Sequence, residues 1–412
     1  RSLGGAALML SLVLYPYVYL TARTAFLEQS VCVLEAARTL GCSAWRSFAV
    51  VALPLARPAI IAGVALALME TLNDFGTVQH FAVDTFTTGI FRTWFGLGEP
   101  AAAAQLGAVL MLFVLALLLI ERYSRGRGRV HHTTSRYRAL PGYCLTGWRA
   151  AAAFLLCATP VALGFLVPAG VLVVWAWQTA SEVFDSRFAG FAFNSLILAG
   201  LTAVLAGGLA LTLAYGVRLC PRPLVRGAVR VAAMGYAVPG SVIAVGVLLP
   251  AAWLDNAVDG WARATFGMST GLLLTGTVTI LVYAYLVRFL AVSLGNVESS
   301  LGKVTPSMDA AARTLGEAPG GVLRRVHAPI LRGSLLAAGL LVFVDVMKEL
   351  PATLILRPFN FDTLAVRTYQ LASDERLHEA AGPGLAIVVV GIIPVILLSR
   401  AIRRSRPGHH DA

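Results

Sequence analysis

A hexapeptide occurs twice in this chain, 275 residues apart, with no letter changed. Ala36-Ala37-Arg38-Thr39-Leu40-Gly41 returns as Ala311-Ala312-Arg313-Thr314-Leu315-Gly316. Pro54 and Pro329, Arg57 and Arg332, Phe86 and Phe361, and Arg92 and Arg367 keep the same offset. An ungapped offset over that length marks a duplicated unit, so any fold open to the first copy must also suit the second.

Composition narrows the choice of fold. Of 412 residues, 58% are hydrophobic and only 13% charged, and the mean hydropathy is +0.76. A water-soluble domain carries about 25% charged residues. The deficit is concentrated in apolar runs such as 106–120 and 385–398. Runs near the ~20 residues that cross a bilayer read as membrane spans. They lack the period-two alternation of barrel strands, so the expected class is an all-α polytopic membrane protein.

About nine spans are expected, at 3–22, 59–78, 104–121, 151–177, 193–216, 231–253, 271–292, 334–356 and 383–399. The net charge of +12 sits in particular connections: Arg122 to Arg138, Arg218 to Arg230, and Arg400 to Arg406. The connections between them are acidic or balanced. This alternation is the positive-inside pattern, not a nucleic-acid footprint. It places loop 23–58, the later basic loops and the carboxyl terminus in the cytoplasm, with both copies of the hexapeptide. Six spans separate the copies, which makes the duplication parallel rather than inverted.

The expected organisation is 1–121 as the latter half of a first transmembrane domain, 122–150 as a basic linker, and 151–412 as a complete second domain. The chain begins at Arg1 with no signal peptide, and about three helices are expected to be missing ahead of it. Five cysteines form no close-spaced pair and read as free, packed thiols. His131-His132 and His409-His410 read as solvated loop and tail residues.

Each repeated stretch reads as two short helices joined at a glycine, the residue suited to a left-handed C-terminal position. Asp309 falls in a first turn, where the helix dipole favours it. Pro54 and Pro329 are expected to break the second helix before the next span. Small alanines on the exposed side would let another protein approach closely. As single loops they could be ordinary interfacial helices; as an identical pair on one side of a membrane, they suit a symmetric partner.

These strings resemble the EAA motif of permease subunits of bacterial ATP-binding-cassette importers. Glu35, Ala36, Ala37, Gly41 and Pro54 match it; in the second copy Ala311, Ala312, Gly316 and Pro329 match, but Ala310 replaces the glutamate and Asp309 stands one residue earlier. The resemblance implies a fused permease in the bacterial inner membrane whose two loops seat on two ATPase subunits, with cargo supplied by a periplasmic binding protein. The only lysines, Lys303 and Lys348, lie in no phosphate-binding loop. No cofactor is therefore expected on this chain. ATP and Mg²⁺ belong to the partners, and the chain is a transport subunit rather than an enzyme.

Two further strings, Glu70 to Arg92 and Asp345 to Arg376, are similar to iron(III)-type permeases. Glu70 and Asp74 share a helix face, and Asp345 and Glu349 occupy the matching positions. Carboxylates in spans are costly and often line a path, and oxygen ligands suit ferric iron. Equally, Asp345, Lys348 and Glu349 could form a local ion pair at the bend before Pro351, with Glu70 and Asp74 near a membrane face. No fixed metal site is expected. The alternatives are a permease of the same class for thiamine or a polyamine, or a secondary transporter that uses no ATPase.

Overall fold

In the computed structural model, residues 1–29, 31–125, 144–183, 185–302 and 304–405 are described. Lys303, the two histidine pairs and most of the expected linker lie outside them. The described residues form helices joined by turns, and nine helices are long and apolar enough to cross a membrane. Their outward faces remain apolar, as Leu155, Leu156 and Trp177 illustrate. Such surface is at home only against lipid tails or a partner.

The duplication extends through successive elements. Helix Leu3–Glu28 begins 275 residues before Val278–Leu301, Val31–Thr39 before Pro306–Thr314, and Ala44–Ser47 before Pro319–Val322. The π turns Phe48–Ala52 and Leu323–His327, the long helices Leu53–Asn73 and Ala328–Met347, and the short helices Gly76–His80 and Pro351–Leu356 start at the same offset. Equal spacing of turn signals has produced equal chain geometry twice.

The prolines act differently from the expectation. Helix continues through them, as Ala44–Asn73 and Pro319–Met347. A proline ring clashes with the carbonyl four residues back and offers no N–H. The chain answers by widening the preceding turn: Leu53 N–H donates to Phe48 O and Ala328 N–H to Leu323 O, five residues back. The π turn Ala162–Leu166 likewise ends two residues before a proline, Pro168.

Other boundaries also move. The sixth span is Gly240–Phe266 rather than 231–253. Pro223–Ala232, with Arg226 and Arg230, is a separate amphipathic helix. The stretches expected as 59–78 and 334–356 are each a long helix and a short one, interrupted at Asp74 and at Lys348 to Leu350. The cysteines are free, but Cys32, Cys144 and Cys157 are exposed rather than packed.

By compactness the chain divides into two units, 1–89 with 108–170, and 90–107 with 171–412. In the first, Leu3–Glu28 packs along Leu53–Asn73. In the second, Ser186–Leu219, Val278–Leu301 and Ala328–Met347 pack against one another. One of its cores gathers Ala210, Ala214, Leu294, Val297, Leu301 and Leu331, close in sequence to the second repeated loop.

Candidate functional site

Both hexapeptides end a helix in the same way. Gly41 and Gly316 adopt φ of +83° and +87°, the left-handed region open to glycine at little cost. Gly41 N–H donates to Arg38 O and Cys42 N–H to Ala37 O, each at 3.0 Å. Gly316 N–H donates to Arg313 O at 3.0 Å and Glu317 N–H to Ala312 O at 3.1 Å. This is the paired hydrogen-bond pattern of a glycine-terminated helix, satisfying carbonyls that the helix end would leave unpaired. Thr39 and Thr314 add the same hydroxyl bond, 2.8 Å to Ala36 O and Ala311 O.

The loops present the same face. Ala37 and Ala312 are buried, whereas Ala36 and Ala311 are exposed. Leu40 and Leu315, just before the glycines, are 84% and 85% exposed. Pro54 and Pro329 are exposed in the widened turns that follow. A helix end tipped by a bare leucine and a small alanine suits insertion into a complementary groove.

The carboxylates of the two loops differ. Glu35 is exposed, and its counterpart Ala310 is exposed too. Asp309 turns into its own unit: Arg218 Nε lies 2.7 Å from Asp309 Oδ2. Buried His327 has Nε2 2.8 Å from Asp309 Oδ1, ion-pair distance but off the line a good hydrogen bond needs. Tyr215 packs its ring against His327, with centroids 5.0 Å apart, and its hydroxyl donates to Pro319 O at 3.0 Å.

Of the four carboxylates singled out near span ends, Glu70 is half-buried on Leu53–Asn73. Asp74 accepts from Thr77 Oγ1 at 3.1 Å and Val78 N–H at 3.0 Å, capping Gly76–His80. Asp345 pairs with Lys348 at 3.0 Å, the local pair that was one of the two readings. Glu349 does not join them. It accepts from Arg288 Nη1 at 3.0 Å and Ala352 N–H at 3.2 Å, so it caps Pro351–Leu356 as Asp74 caps the first copy. Gly240 lets this pair sit close, because a Cβ on it would stand 2.1 Å from Arg288 Nη1 and 2.5 Å from Glu349 Oε1 and would force the pair to shift. Among the described residues, no group of three or more His, Cys, Asp or Glu side chains could hold a metal ion.

Arg288, Arg218, Tyr215 and His327 escaped sequence reasoning. Arg288 had a legible signal, a lone arginine inside the apolar run of Val278–Leu301. The others had none, since their partners lie far along the chain. A cavity of about 230 Å³ in the second unit is lined by Glu182, Asp185, Arg187, Asp362, Arg367 and Glu379. Three of its carboxylates are engaged: Asp185 with Phe188 N–H, Asp362 with Arg357, and Glu379 with Arg376.

The chain is similar to several known proteins. Residues 2–127 match the family described as binding-protein-dependent transport system inner membrane component. An Fe(3+)-transport system permease protein of Haemophilus influenzae is 27% identical over 403 residues, covering 95% of this chain and 75% of that protein. A molybdenum transport system permease protein of the same species is 35% identical over 121 residues, 28% of this chain and 52% of that one. The solved structure of a bacterial alginate ABC transporter, in complex with a periplasmic protein bound to an alginate pentasaccharide, has a chain that matches at 13% identity. Its TM-score is 0.49, and the match covers 63% of this chain and 94% of that one. Similarity to a transport-system permease protein therefore runs along nearly the whole sequence.

Proposed function

We propose that this chain, a relative of binding-protein-dependent permeases, is the transmembrane subunit of an ATP-binding-cassette importer that carries ferric iron. In this reading a periplasmic binding protein delivers the cargo to the outer face, and two ATPase subunits seat on the loops around residues 31–52 and 306–327. ATP and Mg²⁺ are held by those subunits, and this chain performs no hydrolysis. It lies in the bacterial inner membrane with its carboxyl terminus in the cytoplasm.

The observation that carries this reading is the twofold occurrence of one loop geometry, with Leu40 and Leu315 bare at matching positions. The second short helix of each loop is continuous with a span, as Ala44–Asn73 and Pro319–Met347. A displacement applied at such a knob passes into the span as motion of a stiff rod rather than being lost in a flexible linker. This is the mechanical requirement for alternating access driven from outside the membrane. The choice of iron is supported by the 27% identity to the iron permease over 95% of the chain.

The test is reconstitution of the permease with its ATPase in vesicles, supplied with candidate loaded binding proteins. ATP-dependent uptake of labelled ferric iron is the expected outcome. Stimulation by a thiamine- or polyamine-loaded binding protein, and not by an iron-loaded one, would overturn the cargo. Transport without any ATPase would overturn the class.

A further inference from the structure

Helix Ser186–Leu219 ends against the second repeated loop, and one of its residues holds three elements together. Arg218 directs Nε to Asp309 at 2.7 Å, in the first turn of Pro306–Thr314. Its Nη1 donates to Leu301 O at 3.1 Å and Val304 O at 2.9 Å, around the end of Val278–Leu301. Carbonyls at a helix end have no partner within the helix, and a guanidinium is well shaped to take them.

Tyr215 stands three residues earlier on the same face. Its hydroxyl reaches Pro319 O, at the start of the loop's second short helix. Both short helices of the loop are therefore fastened to one transmembrane helix. Tyr215 is 4% and His327 0% exposed, so the tyrosine's part of this fastening is shielded from competing water, while Arg218 and Asp309 keep 19% and 14% of their side chains exposed.

The first loop is built otherwise. Leu34 stands where the second copy has Asp309, and Ala52 where it has His327. Ala52 O is instead taken by Gln29 Nε2 at 2.7 Å. Glu35, the one carboxylate of residues 31–52, is exposed.

We propose that Arg218 is a positioning residue that ties the second loop, through Asp309, to helix Ser186–Leu219, so that a stroke received there moves that helix. The two loops then divide the work. The first offers an outward carboxylate to its ATPase, and the second spends Asp309 on its own bundle. The proposal rests on the importer reading and deepens it.

Arg218→Met keeps most of the side chain's apolar bulk and removes the charge. It is compared with wild type in the reconstituted permease–ATPase complex, supplied with an iron-loaded binding protein. Iron transported per ATP hydrolysed is expected to fall about tenfold while the ATPase still co-purifies, a size typical of coupling between sites. Hydrogen exchange of the same complex should quicken across 306–327 and stay unchanged across 31–52. Tyr215→Phe removes one hydroxyl and is the milder variant, so its losses should be in the same direction and smaller. Wild-type transport per ATP in Arg218→Met, or no gain of exchange in the second loop, would overturn the tie. A wild-type chain that retains no ATPase would overturn the importer reading instead.

Discussion

Asp309 and Glu35 occupy neighbouring positions in the duplicated frame, and neighbours on a helix point about 100° apart. That step is enough to send one carboxylate into its own bundle and the other outward. Ala310→Glu would restore an outward glutamate in the second loop, and tighter retention of the ATPase on purification is the expected result. Gly316→Ala meets no neighbour within 4 Å, yet its φ of +87° strains any residue with a Cβ. A loss of about 1–2 kcal/mol in the stability of that turn follows, read as faster hydrogen exchange over 306–327. Inside the membrane, Arg288 and Glu349 are both nearly buried, with 9% and 6% of their side chains exposed. Removing one partner of such a pair costs about 3–5 kcal/mol, because the other charge is left stranded. Glu349→Ala should therefore lower the thermal stability of the purified chain more than Glu35→Ala, whose side chain meets solvent.

At the scale of elements, the π turns before Pro54 and Pro329 set the rotation of each loop about the helix it leads into. Closing a π turn to α geometry removes one residue from the turn and rotates the segment ahead of it by about 100°. Pro329→Ala supplies the missing N–H and removes the clash that widens the turn. Its expected outcome is a helix at least as stable to heat, with poorer ATPase retention because Leu315 no longer faces the same way. Undiminished ATPase binding in that variant would count against the turn as an aiming device. The short capped helices Gly76–His80 and Pro351–Leu356 obey the same logic. An acidic residue at the interruption, Asp74 or Glu349, satisfies the N–H groups that a helix start leaves open.

At the scale of the whole molecule, the nine apolar helices among the described residues and the arginine-rich connections of the sequence make an expected topology that can be tested. A cysteine replacing Leu315 should react with an impermeant reagent from the cytoplasmic face alone. One replacing Trp177, exposed at the far end of Gly147–Gln178, should react from the opposite face alone. Labelling of both from one side would refute the assignment of the basic loops to the cytoplasm.

The all-helical membrane class, the duplication and the paired loops were legible because each depends on local letters. Apolar runs select spanning helices, glycine selects a left-handed turn, and a repeated spacing repeats the result. The sequence also placed Asp74 and Glu349 in register. It was silent on their partners, since Arg288 lies 61 residues from Glu349 and no periodicity links them. It placed Asp309 beside the motif but could not show it turned inward, because Arg218 lies 91 residues away. Prolines that looked like helix breakers became π turns, since a hydrogen bond to the fifth residue back relieves the clash of the proline ring and lets the helix continue. What the sequence alone determined was therefore the all-helical membrane class, the repeat and the paired loops. Which charges meet was decided only when distant helices packed, because pairing depends on proximity in space rather than along the chain.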